Sequence, residues 1–193
     1  MNIPARSRSH LLINFIAFEI GWFAVVLGAA HDYVWTGILV AALVVLLHLL
    51  MSHHLMHQLK LLISVVLIGT AWDSTLAASN VIHYPTGQLL SSMAPVWIMA
   101  VWALFATTLN VSLVFLRQRW WLAALFGAIG APLSFLGGMR LQALQFPETG
   151  TALLALAIGW AVLMPLLMYL SIRFDGVNVT SEQSVSASVG VQP

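Results

Sequence analysis

Two carboxylates in this chain stand inside apolar surroundings. Glu19 falls near the middle of an apolar run over residues 11–30, and Asp73 in the later half of another over residues 61–79. An ionised side chain at the centre of a bilayer costs about 3 kcal/mol even on a forgiving insertion scale, so each acid needs a partner, a proton or water. A carboxyl group kept from bulk solvent can hold a polar ligand, or serve as a general acid or base. Side chains able to join them lie at reachable depth: Asn14 and Trp22 beside Glu19, Ser74 next to Asp73, and Trp97, Trp102, Thr108, Ser112 and Ser134 in later runs. Trp97, Val101, Phe105, Thr108 and Ser112 follow 4, 4, 3, 4 spacing, which on a helix makes one face, aromatic at one end and hydroxylated at the other. The expected substrate-binding set is therefore Asp73, Ser74, Glu19, Asn14, Trp22, Trp97, Trp102, Thr108 and Ser134. The plainer reading is that protonated acids act as interhelical glue, with the tryptophans as packing or interfacial anchors.

Other polar or small residues carry weaker signals. Gly130, Ser134 and Gly138 recur every four residues and form a small-residue seam, most simply a place where a neighbouring helix approaches closely. Pro132 within that seam frees a carbonyl one turn earlier, which protein or cavity water must satisfy. His53, His54 and His57 spell HHxxH, and His48 precedes them by about a turn. Membrane di-iron oxygenases use several such boxes, whereas His10, His31 and His83 make no second one, so interfacial anchoring or a mild pH response accounts for them better. No metal and no other cofactor is expected. The chain has no cysteine, which removes thiolate chemistry, and no G-x-S-x-G, P-loop, H-E-x-x-H or dinucleotide fingerprint.

The elements that must position these groups are six apolar runs, over residues 11–30, 34–52, 61–79, 94–116, 120–138 and 152–172. Each is near the ~20 residues a helix needs to cross ~30 Å of hydrocarbon. Composition agrees, with 61% hydrophobic residues and only 7% charged in 193 positions. The reading is an all-α membrane bundle of six transmembrane helices, one domain over residues 1–174, followed by a disordered cytoplasmic tail over 175–193 that lacks anything large to bury. Arg6, Arg8, Lys60, Arg117, Arg119 and Arg173 fall on one side of such a bundle and Arg140 alone on the other, so both termini are expected in the cytoplasm. Seven scattered basic residues cannot track phosphates, so no nucleic-acid partner is expected. A cleaved signal peptide over residues 1–30 is disfavoured because the stretch is long, carries Glu19, and its loss would spoil the alternation of charge.

Several stretches resemble a family of small bacterial inner-membrane proteins classed as a domain of unknown function: Asn14 to Trp22, the Trp72-Asp73-Ser74 step, Pro95 to Trp97 with Trp102, Phe105 and Thr108, and Gly130 to Ser134 with Gly138. Where the family pattern leads one to expect a glutamate near the start of the third helix, this chain has Gln58-Leu-Lys60, which weakens any role for a third acid. The resemblance implies a multi-pass protein of the bacterial inner membrane. It also implies an association with cyclopropane-fatty-acid synthesis and related lipid modification, hence membrane lipid as substrate or cargo and lipid-modifying enzymes as partners.

Two functional readings of different class follow. In the first, the protein binds or translocates a lipid or small amphipathic molecule through an outer-half pocket around Asp73, because isolated acids among aromatics suit binding better than multi-group catalysis. In the second, it is a membrane-embedded lipid-modifying enzyme with Asp73 or Glu19 as general acid or base. A structural partner of lipid-modifying proteins is the third and blandest alternative.

Overall fold

The computed structural model describes residues 8–90 and 93–177, so Arg6 and the expected tail beyond Val177 lie outside the described residues. Six α-helices follow one another: α1 (Arg8–Ala30), α2 (Val34–Leu50), α3 (Leu55–Ala78), α4 (Val96–Leu109), α5 (Trp120–Arg140) and α6 (Thr149–Arg173). Among the described residues there is no strand, only a single antiparallel bridge between His83 and Gln145. Four helices, α1, α3, α5 and α6, are long and apolar enough to cross a membrane, while α2 has 17 residues and α4 only 14. Large apolar side chains such as Leu39, Leu133 and Val162 point outward at 61–67% exposure, which suits a lipid surround and no aqueous one. The chain is a membrane protein.

Helix boundaries differ from the apolar runs for local reasons. The run over 94–116 was expected as one helix, but α4 stops at Leu109 and a 3-10 turn at Val114–Leu116 follows. At that end the Thr107 and Thr108 hydroxyls donate to the carbonyls of Leu104 and Phe105, three residues back, competing with the helical ladder. Asn110 then turns its amide to other helices. Helix α3 begins at Leu55, ahead of the apolar run, because Gln58 is buried and bonded and so belongs to the bundle. The same start breaks the histidine motif: His53 and His54 lie in the α2–α3 connection and only His57 is helical, so HHxxH does not present a single helix face.

Helix α4 is the axis, packing on α1, α2 and α3, while α5 and α6 form a hairpin that touches the rest more sparingly. The inner face of α3 reads Gln58, Leu61, Val65, Gly69, Asp73, Leu76, a three-and-four spacing of buried positions. At the ends of α1, α3 and α5 the chain turns with Asp32, Asn80 and Gln142 in the left-handed region (φ 63, 55 and 69°). In each case an amide beyond the turn bonds a carbonyl five residues back: Tyr33 to Gly28, Val81 to Leu76, Ala143 to Gly138. The turns at Asn80 and Gln142 lead into the α3–α4 and α5–α6 connections, and backbone bonds between His83 and Gln145 tie those two together.

The opposite end is closed by a polar network centred on Arg117, which the sequence offered only as a loop charge. Its guanidinium donates to Asp175 (2.6 Å), Asn110 Oδ1 (2.6 Å), and the hydroxyl and carbonyl of Ser171 (3.2 and 3.1 Å). Asn110 in turn donates to Gln58 Oε1 (3.1 Å) and the Phe174 carbonyl (3.3 Å). Three helix ends are thus joined, and the first residues assigned to the tail take part: Asp175 pairs with Arg117, Gly176 accepts from the His54 amide, and Val177 is buried. Arg117→Ala is expected to cost about 2–3 kcal/mol of stability, by removing the guanidinium's bonds to Asp175, Asn110 and Ser171. Arg117→Lys is expected to recover little of it, since an ammonium cannot reproduce the fork. Melting of the purified protein in detergent checks this, and a lysine variant as stable as the parent would remove the argument.

Outside the spans, Glu148 caps α6 by accepting from the amides of Gly150 and Thr151. Its bonding to Thr151, then to Gly150, holds its carboxyl below the ordinary value of 4.5. A folded-state value below the unfolded one contributes stability above the unfolded value, and that contribution disappears as pH falls through the folded value. Glu148→Gln should therefore flatten the acid side of a melting-temperature profile below about pH 4.5. An unchanged acid slope would show that the cap is not the group being titrated.

Candidate functional site

Gly69 and Asp73 are one turn apart on the inner face of α3, and that spacing creates the centre of the site. A Cβ at Gly69 would lie 1.9 Å from the Trp102 indole, so only glycine leaves a slot for that ring. Seated there, Trp102 reaches one turn along α3 and its Nε1 donates to Asp73 Oδ2 (2.6 Å). The other oxygen, Oδ1, accepts from the Tyr84 hydroxyl (3.1 Å), whose ring is carried back into the bundle by the turn at Asn80. Asp73 and Tyr84 are each 1% exposed. The connection bearing Tyr84 is fastened at further points: Thr86 donates to the Ala29 carbonyl, Trp97 Nε1 donates to the Thr86 carbonyl, and Ser74 Oγ accepts from the Ala94 amide.

Beside this cluster is a cavity of about 430 Å³ between α1 and α4 on one side and α5 and α6 on the other. Its deep wall holds Asp73, Trp97, Trp102, Thr108, Trp160 and Met164. Phe15, Phe126 and Leu133 also border it yet are 50, 43 and 62% exposed, so the cavity opens sideways between α1 and α5. It is a lateral cleft. An aromatic chain lines it from α1 through α4 to α6: Phe18 edge-on to Phe105 (6.4 Å), Phe105 edge-on to Trp160 (5.4 Å), and Trp160 stacked on Trp102 (4.8 Å, 9° between planes).

Of the nine residues expected to form the site, seven border the cleft: Glu19, Trp22, Asp73, Trp97, Trp102, Thr108 and Ser134. Two do not. Asn14 is taken up by the Ser112 hydroxyl and the Thr107 carbonyl, and Ser74 by the Ala94 amide. Trp97, Val101, Phe105 and Thr108 share the cleft-facing side of α4, and Ser112, although beyond the helix end, borders the cleft too. The small-residue seam on α5 has another role than close packing: Gly130, Ser134 and Gly138 face the cleft, whereas α6 comes nearest at Gly127, where a Cβ would lie 2.3 Å from the Trp160 carbonyl. The acids differ as well. Asp73 has both oxygens engaged, but Glu19, half-buried on the α1 wall, makes no hydrogen bond or ion pair among the described residues.

Tyr84 went unrecognised as a site residue because a tyrosine just past a helix end reads as an interfacial anchor. Its one signal was position, eleven residues after a buried acid and next to a proline that fixes the turn. Phe15, Phe18 and Trp160 were hidden among many apolar residues. Their signal was periodicity, Phe15, Glu19, Trp22 and Val26 recurring on one face of α1 with Phe18 beside them.

An all-helical membrane protein with a lateral cleft and a buried, fully bonded carboxylate is thus the class that fold and site define. The chain belongs to the DUF2878 family, proteins of unknown function, whose family model matches residues 11–166. That match takes in most of α1, all of α2 to α5, most of α6 and every residue bordering the cleft. No curated protein and no solved structure matches the chain.

Gly69→Ala is expected to destabilise the protein by about 1–3 kcal/mol, since the added methyl must push Trp102 out of its slot and off Asp73. Thermal melting in detergent, alongside the neutral control Gly130→Ala, measures it; equal melting of the two variants would show that the slot is not needed.

Proposed function

We propose that this protein binds or translocates a lipid or small amphipathic molecule through the lateral cleft, as a six-span protein of the bacterial inner membrane with both termini in the cytoplasm. The observation that carries the reading is the cleft itself, with an apolar mouth on α1 and α5 at the lipid-exposed surface and polar groups further in. A molecule with a tail and a head can enter such an opening sideways without leaving the hydrocarbon. Spanning by all six helices accords with α4 lying among its neighbours, where irregular backbone after Leu109 is shielded from lipid. The orientation rests on the side shared by Lys60, Arg117, Arg119 and Arg173, opposite Arg140.

Binding is favoured over catalysis by the state of the two acids. Asp73 already accepts two hydrogen bonds and fastens the Tyr84 connection, which makes it a positioning group for the cleft wall. That leaves Glu19 as one unengaged acid, and proton transfer at a lipid generally draws on more than one catalytic group. A lipid-modifying enzyme remains the alternative outcome of the test below, as does a scaffold for lipid-modifying enzymes.

Gly130 gives a direct test. A Cβ there would meet only Phe126, at 3.9 Å, so Gly130→Phe can fill the cleft without disturbing the α5–α6 contact. Mass spectrometry of lipids extracted from detergent-purified protein should find a species retained by the parent and lost in Gly130→Phe, at unchanged melting temperature. Identical lipids on both proteins would count against a ligand in the cleft. Conversion of a reconstituted lipid to a new species would move the assignment to the enzyme reading.

A further inference from the structure

Among the described residues, those around the cleft include two carboxylates, Glu19 and Asp73, and no lysine, arginine or histidine. A phosphate, sulfate or carboxylate head group would find no counter-charge there and would face Glu19 across a medium that screens poorly. The hydroxyl donors are mostly spent: Thr108 donates to the Phe105 carbonyl and Ser112 to the Leu11 carbonyl and Asn14. What remains for a ligand is a carboxylate with no partner among the described residues, two uncharged polar groups (the Ser134 hydroxyl and the unbonded Trp160 Nε1), and a wall of aromatic rings, with Phe15, Phe18 and Trp22 on the same helix face as Glu19 and Phe105 and Trp160 beyond. Ring faces attract cations, and most strongly where water is scarce.

Building on the reading that the cleft holds an amphiphile, we infer that its ligand carries a cationic head, an amine or quaternary ammonium, which lies against Glu19 within the aromatic wall while its tail leaves between α1 and α5. The occupant supplies the charge that Glu19 lacks. It also explains why an acid can be kept on a lipid-adjacent helix with no basic residue bordering the same cavity. Asp73 does not compete for the head, because Trp102 and Tyr84 already hold both of its oxygens.

Four cleft tryptophans, at positions 22, 97, 102 and 160, supply the readout. The test titrates three dodecyl amphiphiles with a nitroxide on the tail, bearing a trimethylammonium, a hydroxyl or a carboxylate head, into the purified protein in neutral maltoside micelles. Cleft-specific quenching is the quenching beyond that of the blocked Gly130→Phe variant. The ammonium probe is expected to saturate at roughly tenfold lower concentration than the alcohol, with the carboxylate weakest, and Glu19→Gln should bring the ammonium to the level of the alcohol. Equal binding of ammonium and alcohol, stronger binding of the carboxylate, or an ammonium preference that survives Glu19→Gln would each overturn the cationic assignment while leaving an amphiphile cleft in place. No quenching beyond the blocked variant for any probe would overturn the cleft reading and this inference together.

Discussion

A carboxyl group within hydrocarbon needs a partner, a proton or water, and the architecture around Asp73 follows from how its two oxygens are bonded. Two donors must reach it from different segments, and each reach requires something of the sequence. Trp102 can approach only because Gly69, one turn before Asp73, has no side chain to keep the indole off α3. Tyr84 can approach only because Asn80 takes a left-handed conformation that turns the chain back over the end of the helix. Once Tyr84 is held, the rest of its connection is positioned for Thr86 to meet Ala29 and for Trp97 to meet Thr86. Charge-assisted hydrogen bonds are among the stronger ones a protein makes, and their strength grows where water is absent. The acid is therefore a structural centre, and the tryptophan it orients becomes part of the cleft wall.

Glu19 is the counterpart that the bundle does not satisfy. Lipid tails are as apolar as leucine, so helices in a membrane are drawn together by close packing and polar contacts rather than by expulsion of apolar surface from water. Between α3 and α4 those contacts are dense. Between α1 and the α5–α6 hairpin they are few: Gly137 offers only ordinary contact distance to Trp22, Gly130 is met only by Phe126 of its own helix, and Gly138 packs on Leu144 rather than on α1. Where packing is tight on one side and sparse on the other, an opening between the two parts is the physical outcome.

Much of the helical plan was legible in the chain because 3.6-residue periodicity and span length are local properties. The cleft-facing stripe of α4 came from spacing alone, and Glu19 and Trp22 were grouped by their depth in the first apolar run. What was not legible depends on partners far away in sequence. Asn110, Gln58 and Ser171 each look like an ordinary polar residue near the end of an apolar run, and only their convergence on Arg117 makes them a network. The α5 seam misled because small residues at four-residue spacing serve close packing and open volume equally well. Only the neighbour decides, and here α6 chose Gly127.

The two polar centres divide the bundle between them. At one end Arg117 gathers the start of α3, the end of α4 and the end of α6, and at the other Asp73 gathers α3, α4 and the connection that bonds to the α5–α6 turn through His83 and Gln145. The α5–α6 hairpin is thus fastened at both ends and, at mid-α6, by Trp160 against Trp102 and Phe105, while the middle of α5, where Pro132 removes a backbone donor and Gly130 presents no side chain, bounds the cavity. A small outward bend of α5 alone would leave both polar centres intact. The contacts such a bend would loosen are dispersion contacts between apolar side chains, each individually weak.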